Sequence, residues 1–377
     1  MDKLFYASSE TCADLWYLSG FCAPDAFLFF QTDKGAVAAV SCLELGRARK
    51  ECRPSVKVAD VQHLEEFFGI EAEPAGGNWF LRMVRTVCRG TGVWEWNVPA
   101  SFPLEYADLL RGAGIQVTPC WNLTPERRIK SREEIEKVRR GERLAEAGLA
   151  QADGMLRQAT VDKEGFLRLG GHRLTAEELR GEVDAAIARK GGLARGTITA
   201  PGVQGADPHQ AGHGPLKANE PIVMDIFPRD QATGYYGDLT RTRVKGSASP
   251  VVRKAYETVL AAQEKALGSL KAGVAGEAIH QAAADYFKKE GFKTGKEESS
   301  GVYYGFFHGL GHSVGLEIHE SPSLSLRQKE PLRKGNVVTV EPGLYYPEWG
   351  GIRIEDTVAV AEGGIDNLTV AEKFLEL

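Results

Sequence analysis

The sequence predicts an α/β (α+β) chain in two parts: a small amino-terminal α/β domain over residues 1–123, then a larger domain over 124–377 in which helices cover one side of a curved, mostly antiparallel sheet. Three observations predict it. All six cysteines, Cys12, Cys22, Cys42, Cys52, Cys88 and Cys120, fall in the first part, so composition shifts near residue 123. Beyond that point, helix-periodic stretches alternate with short apolar runs bounded by turn-forming residues. Two pairs of these runs carry an acidic residue on each arm, as if one construction had been used twice. A chain of 377 residues, 43% hydrophobic and 26% charged, has the length for two or three domains and for a sizeable core.

In the first part, β-like runs at Ala26–Phe30, Ala36–Val40 and Ile115–Thr118 alternate with helical stretches such as Val61–Phe68. Thr124-Pro125 opens a linker. The basic run Arg127-Arg128-Ile129-Lys130 meets Glu133 and Glu134 directly, so it reads as a solvated linker and helix start. Ser131 and Glu134 form a capping box ahead of a long helix to about Arg157. The glycine-bearing segment Asp162–His172 reads as a surface insertion. Thr175 and Glu178 repeat the capping signal before Leu179–Lys190, which stops at Gly191-Gly192. Ser249-Pro250 starts a helix to about Leu270, and another runs from Gly276 to Glu290 and stops at Gly291.

The acidic hairpins come next. Asp225 closes the apolar run from Pro221 to Phe227 and Asp238 opens the run to Val244, with Pro228, Asp230 and Gly234 between them. A symmetric antiparallel pairing sets the two carboxylates directly opposite, roughly 5 Å apart at Cβ. Like charges so placed repel unless something neutralises them. Val337–Glu341 and Gly351–Val358 repeat the plan around a loop at Pro347–Gly351, with Arg353, Glu355 and Thr357 on one face and Pro342 biasing Glu341 to an extended backbone. Between the hairpins, His308, His312 and His319 share one stretch of a chain that has only eight histidines. Four carboxylates with one or two imidazoles suit a hard or borderline cation such as Mn²⁺, Co²⁺ or Zn²⁺, and their charge balances two divalent ions.

Other readings fit less well. Gly309, Gly311 and Gly315 are wrongly spaced for a dinucleotide turn, and Gly309 stands where a zincin helix needs glutamate. A net charge of −5 offers no basic field for nucleic acid or anionic lipid, and no run approaches a membrane span of about 18 uncharged apolar residues. No signal peptide is read at the amino terminus, and cysteines without a C-x-x-C pattern read as free thiols, so a cytoplasmic location is expected.

The strings MDIFPRDQATGYYGDLTRT, HGLGHSVGLEIHE, TVEPGLYYPEWGGIRIEDT and LWYLSGF resemble the pita-bread metallopeptidases of the prolidase and aminopeptidase P group, over most of the chain. The resemblance implies a creatinase-like amino-terminal domain and a pita-bread catalytic domain with two divalent ions, Mn²⁺ first and Co²⁺ or Zn²⁺ as alternatives. It places their ligands at Asp225, Asp238, His312, Glu341 and Glu355, with Asp238 and Glu355 bridging. Thirteen positions separate Asp225 from Asp238, two more than is usual in the family, which keeps the pleat and lengthens the loop. His319, Glu341 and His209 are implied as catalytic, with His213 a competitor for the role of His209. His308 and Arg353 are implied as substrate-binding, although an ion pair orienting the ligands serves equally for Arg353. His63, His172 and His280 lie outside any motif and read as surface residues.

The implied activity is hydrolysis of the Xaa-Pro bond at the amino end of dipeptides or longer peptides, by a homodimer without nucleic-acid or membrane partners. Both dipeptidase and aminopeptidase remain open. A creatinase-type enzyme and a non-catalytic peptide-binding module are the alternatives. Creatinase lacks the metal ligands, and non-catalytic relatives typically lose some. Methionine aminopeptidase shares the ligands but lacks an amino-terminal domain of this kind.

Overall fold

The computed structural model describes residues 1–73 and 76–377. The chain divides into two compact units, Met1–Arg127 and Arg128–Leu377. This break falls later than the 123/124 boundary read from the sequence. Leu123 is buried in the first unit, and the Thr124 hydroxyl and Arg127 guanidinium both bond Asp14, so residues 124–127 stay with it.

The first unit is a six-stranded mixed sheet in the order Val56–Asp60, Gly35–Val40, Phe27–Thr32, Lys3–Ala7, Glu95–Pro99, Gln116–Cys120. Both faces are covered, because alternate residues on each strand are apolar in both directions. Leu4, Leu28, Phe30 and Trp96 pack with residues of the helices Trp79–Thr91 and Leu104–Gly112. Phe5, Phe27, Phe29 and Ala38 pack on the other side with Leu15 and Ala48. All six cysteines are free.

In the second unit, local signals set the helix ends. Ser131 and Glu134 close a reciprocal capping box on the helix Arg132–Gln158. Thr175 caps Ala176–Arg189 through the Glu178 N–H. Ser249 and Pro250 start the helix Pro250–Ser269, which precedes Gly276–Lys289. The four helices form two pairs, each over its own cluster. Ala145, Leu149, Ala152, Leu179, Val183 and Ile187 of the first pair cover Ile222, Met224, Ile226 and Leu239. Val252, Ala255, Val259, Ile279, Ala283 and Phe287 of the second cover Val338, Val340, Ile352, Ile354 and Val358.

Beneath them lie two antiparallel half-sheets. One is Ile198–Pro201, Pro221–Ile226, Leu239–Val244; the other is Glu320–Leu324, Gly311–Ser313, Val337–Val340, Asp356–Val360, Ile365–Asn367, with Gly343–Tyr346 paired to Gly350–Arg353 alongside. Threonines join the halves. The Glu355 N–H donates to the Thr240 carbonyl at 3.0 Å, and the Arg353 N–H to Thr242 Oγ1 at 3.0 Å. The Thr242 and Thr357 hydroxyls donate in turn to the carbonyls of Arg353 at 3.1 Å and Asp238 at 2.9 Å.

Residues 162–172 lie at the surface as read, with Leu167 the one buried residue of the stretch, and Thr160–Val161, Leu167–Leu169 and His172–Arg173 form a small sheet. One reading of exposure is corrected. Lys130 is not solvated. Its side chain is 2% exposed, and Nζ reaches Glu320 Oε2 at 2.8 Å and Ser313 Oγ at 2.9 Å. Glu320 Oε1 accepts the Glu317 N–H at 3.2 Å, so one buried cation holds both ends of the segment between His312 and His319. Lys130→Met is therefore expected to cost about 3 kcal/mol or more, because it removes the cation that a buried carboxylate faces. The double variant Lys130→Met with Glu320→Gln should recover most of that loss in urea melts; equal losses would show that the ion pair is not what matters.

Candidate metal centre

Period-two alternation decides what faces the helices and what faces away. With Ile222, Met224, Ile226 and Leu239 in the first helix-packed cluster, Asp225, Thr240 and the adjoining Asp238 turn to the opposite side. Val338, Val340, Ile352 and Ile354 do the same for Thr339, Glu341, Arg353 and Glu355. Asp225, Asp238, His308, His312, His319, Glu341, Arg353, Glu355 and His209 then line one cavity of about 640 Å³. Every residue assigned a site role in the sequence is in that lining, and of the two histidines weighed for one role it is His209 that is there. His213 is not among the lining residues; its Nδ1 meets Gln204 Oε1 at 2.5 Å.

The hairpin registers differ. Asp225 pairs with Thr240, so Asp238 is its diagonal neighbour two residues along and not its direct partner. The register stays constant out to the Arg229–Tyr236 bridge, so the hairpin is centred one residue beyond the midpoint of the two aspartates. Arg229–Asp230 pairs with Gly192–Leu193, Arg229 bridges to Tyr236, and buried Asp230 takes Arg140 Nε at 2.9 Å and the Thr233 hydroxyl at 2.8 Å. In the second hairpin Val340 pairs with Asp356 and Gly343 with Arg353, a constant register that sets Glu341 across from Glu355. Neither of these glutamates belongs to a strand there. The Glu341 N–H donates to the Leu310 carbonyl at 2.8 Å, and Gln263 fills the gap by donating to the carbonyls of Val340 at 3.0 Å and Ile354 at 3.1 Å.

Asp238, His312 and Glu355 offer ligand atoms within 4.8 Å of one another. His312 Nε2 lies 3.5 Å from Asp238 Oδ2 and 3.3 Å from Glu341 Oε1, long for hydrogen bonds but close to the separation of two atoms each roughly 2.1 Å from a common ion. The His312 Nδ1–H donates to the Ser313 carbonyl at 3.3 Å, which leaves Nε2 free to coordinate. Asp225 Oδ1 is buried without a hydrogen-bond partner. A buried anionic oxygen in that state is costly, and a cation answers it. The donor set, oxygen-rich with one imidazole, fits a divalent metal-binding site.

Neighbouring groups fix these donors. The Thr240 hydroxyl donates to Glu355 Oε2 at 2.7 Å and that of Thr339 to Glu341 Oε1 at 3.2 Å. Arg353 Nη2 donates to Asp225 Oδ2 at 2.6 Å and Nη1 to the Tyr345 hydroxyl at 3.0 Å. His308 closes the chain. Its Nδ1 meets the Gly309 carbonyl at 2.7 Å and therefore carries the hydrogen, so Nε2 accepts from the Tyr345 hydroxyl at 2.9 Å. Burial, then the Arg353 charge, pushes the His308 imidazole down to about 3, which keeps it neutral. Tyr345, Thr240 and Thr339 were not singled out from the sequence, although Thr240 and Thr339 share the in-facing parity of the ligands. His280 is another correction. It is 9% exposed and packs on Phe306 at 5.2 Å between centroids, because it falls on the buried face of Gly276–Lys289.

Burial, then mutual repulsion, raises the carboxyl groups of Asp238 and Glu355 well above the usual range. Burial pushes Glu341 up to about 7. The His319 ring lies 4.3 Å from that of His312, and partial desolvation followed by the His312 and His209 rings lowers its pKa.

Residues 136–362 match Metallopeptidase family M24. The chain is 39% identical over 180 residues to the Xaa-Pro dipeptidase of Pyrococcus furiosus, covering 48% of each chain, so it spans about half the length of that curated relative. Among solved structures it is similar to the X-Pro aminopeptidase from Thermotoga maritima, with a TM-score of 0.81 and 23% identity over 100% of this chain and 97% of that one. It is similar also to the prolidase from Pyrococcus horikoshii, with a TM-score of 0.77 and 26% identity over 99% and 94%. At such identities the likeness to the Thermotoga protein is one of fold.

Asp238, Glu341 and Glu355 hold protons more tightly folded than unfolded, so their contribution to stability is full below the unfolded carboxylate range near ~4 and is lost as pH rises through the folded values, about 7 for Glu341. In chelator, the melting temperature should fall between pH 4.5 and 8 relative to a divalent-loaded sample, and the gap should widen with pH. A gap that is constant across this window would contradict the reading.

Proposed function

This chain belongs to metallopeptidase family M24, and we propose that it is a dimetal-dependent peptidase cleaving the bond before proline at the free amino end of dipeptides or longer peptides, as a Xaa-Pro dipeptidase or aminopeptidase. The carrying observation is the convergence of Asp225, Asp238, His312, Glu341 and Glu355 on one cavity, with Asp225 Oδ1 buried and unsatisfied. Asp238 and Glu355 would bridge two ions, with Asp225 completing one and His312 and Glu341 the other. Mn²⁺ is the first candidate for so oxygen-rich a set, ahead of Co²⁺ and Zn²⁺. Bound there, the ions acidify water and polarise the scissile carbonyl.

The chain's own residues do the rest. Glu341, held by the Thr339 hydroxyl on the cavity wall, would take the proton of the attacking water and return it to the leaving amine. His319 and His209 on the cavity wall donate to the carbonyl oxygen as it gains charge. Arg353 holds Asp225, and His308 acts through Tyr345 to hold Arg353, so these two orient the centre. Both His308 nitrogens are engaged, which leaves its ring for apolar contact. Ile198, Phe227, Phe307 and Ile318 give the cavity apolar wall for a proline ring, and an imino leaving group brings no amide N–H that would need an acceptor.

Chelation should abolish hydrolysis, and Mn²⁺ or Co²⁺ should restore it. His319→Ala should keep its metal while losing on the order of 10²-fold in kcat. Asp238→Asn should lose metal as well, so elemental analysis separates the two roles. Substrate class is checked with Ala-Pro, Ala-Pro-Ala and Ala-Ala-Ala: at least one proline peptide should be cleaved in preference. Cleavage of Ala-Ala-Ala alone would remove the proline assignment and leave a dimetal peptidase.

A further inference from the structure

We propose that Glu142 is a positioning residue of the metal centre, gripping Asp238 through its backbone. The inference rests on the reading of Asp238 as a metal ligand. It begins with two glycines. A Cβ on Gly141 would lie 2.4 Å from the Gly237 nitrogen, and one on Gly237 would lie 2.1 Å from the Gly141 carbonyl carbon. The helix Arg132–Gln158 can therefore touch the end of the Asp225–Asp238 hairpin backbone to backbone, and only because both positions lack a side chain. That approach brings the next helical residue, Glu142, onto the hairpin at zero exposure.

Glu142 then closes a ring around the Asp238 peptide. Its Oε1 accepts the Asp238 N–H at 2.7 Å, and its Oε2 accepts the Thr369 hydroxyl at 3.0 Å. Thr369 Oγ1 accepts the Thr357 N–H at 2.9 Å, and the Thr357 hydroxyl donates to the Asp238 carbonyl at 2.9 Å. Both polar groups of the Asp238 main chain are thus held by one closed circuit that crosses the seam between the half-sheets. Asp238 needs this grip, because it lies just outside the strand Leu239–Val244, where no ladder holds it. A structural role alone explains Glu142 poorly. Among the described residues no cation pairs with it, and a fully buried carboxylate next to Asp238 is a destabilising choice for packing. Geometry at the ligand is what offsets that cost.

The test titrates metal-free protein with Mn²⁺ by calorimetry, alongside metal-free melting temperatures. Glu142→Ala should raise the Mn²⁺ dissociation constant by about 10–100-fold. Glu142→Gln keeps an acceptor for the Asp238 N–H and should stay within about threefold of the parent, since only the hydrogen-bonded geometry is conserved. Thr369→Val, which opens the ring elsewhere, should fall between them and decides the matter if Glu142→Ala does not fold. A residue that serves packing alone would lower the melting temperature and leave the dissociation constant unchanged. Parental affinity in a folded Glu142→Ala or in Thr369→Val overturns the proposal, as does Glu142→Gln binding as weakly as Glu142→Ala, which would mean that charge and not the grip is responsible. If the parent chain itself binds no Mn²⁺, the metal-centre reading fails first, and that result is distinct from the others.

Discussion

Asp225, Asp238, Glu341 and Glu355 crowd like charge into one cavity, and the second unit is arranged around holding them there. Each is restrained differently. Arg353 takes one oxygen of Asp225, Thr339 one of Glu341 and Thr240 one of Glu355, while Asp238 is restrained through its main chain. Such neighbours orient carboxylates without neutralising the set, since Arg353 is the one guanidinium lining the cavity among the described residues. Burial makes the remaining charge expensive, and divalent ions offset it.

The strand Leu239–Val244 shows how one element serves both the site and the scaffold. Thr240 and Thr242 face the seam with residues 353–355, next to the ligands. Arg241 and Arg243 point the other way and are fully buried. Arg241 meets Asp356 at 2.8 Å and the carbonyls of Ala371 at 2.7 Å and Glu372 at 3.2 Å; Arg243 meets Asp153 at 3.1 Å and the Phe374 carbonyl at 2.6 Å. Arg241 also donates to the Thr240 carbonyl at 2.9 Å, so the tail at 371–374 and the ligand-bearing strand share one guanidinium. Planar guanidinium groups with five donors suit this role, because several carbonyls can be satisfied at once.

Much of this was legible in the sequence where the cause is local. Capping residues set the starts of the helices at Arg132, Ala176 and Pro250, and alternation put Arg353, Glu355 and Thr357 on a common face. The Glu341–Glu355 register followed from symmetry, because that hairpin is centred midway between the two glutamates. The Asp225–Asp238 register did not, because that hairpin, equally constant in register out to Arg229–Tyr236, is centred one residue past the midpoint of the two aspartates. Lys130 was read as solvated because the residues that bury it, Ser313 and Glu320, are distant in sequence, whereas His280 shares a buried helix face with Ile279, Ala283 and Phe287 that the sequence reading passed over. Glu142 left one faint signal, a carboxylate following glycine on the helix face shared by Val138, Ala145 and Leu149.

The central claim is that these carboxylates with His312 form one two-ion site. Anomalous scattering from crystals grown with Mn²⁺ tests it most directly. The account predicts two peaks about 3.5–4 Å apart, one beside Asp225, one beside His312 and Glu341, with Asp238 and Glu355 reaching both. A single peak away from Asp225, or none in the cavity at saturating Mn²⁺, would contradict it.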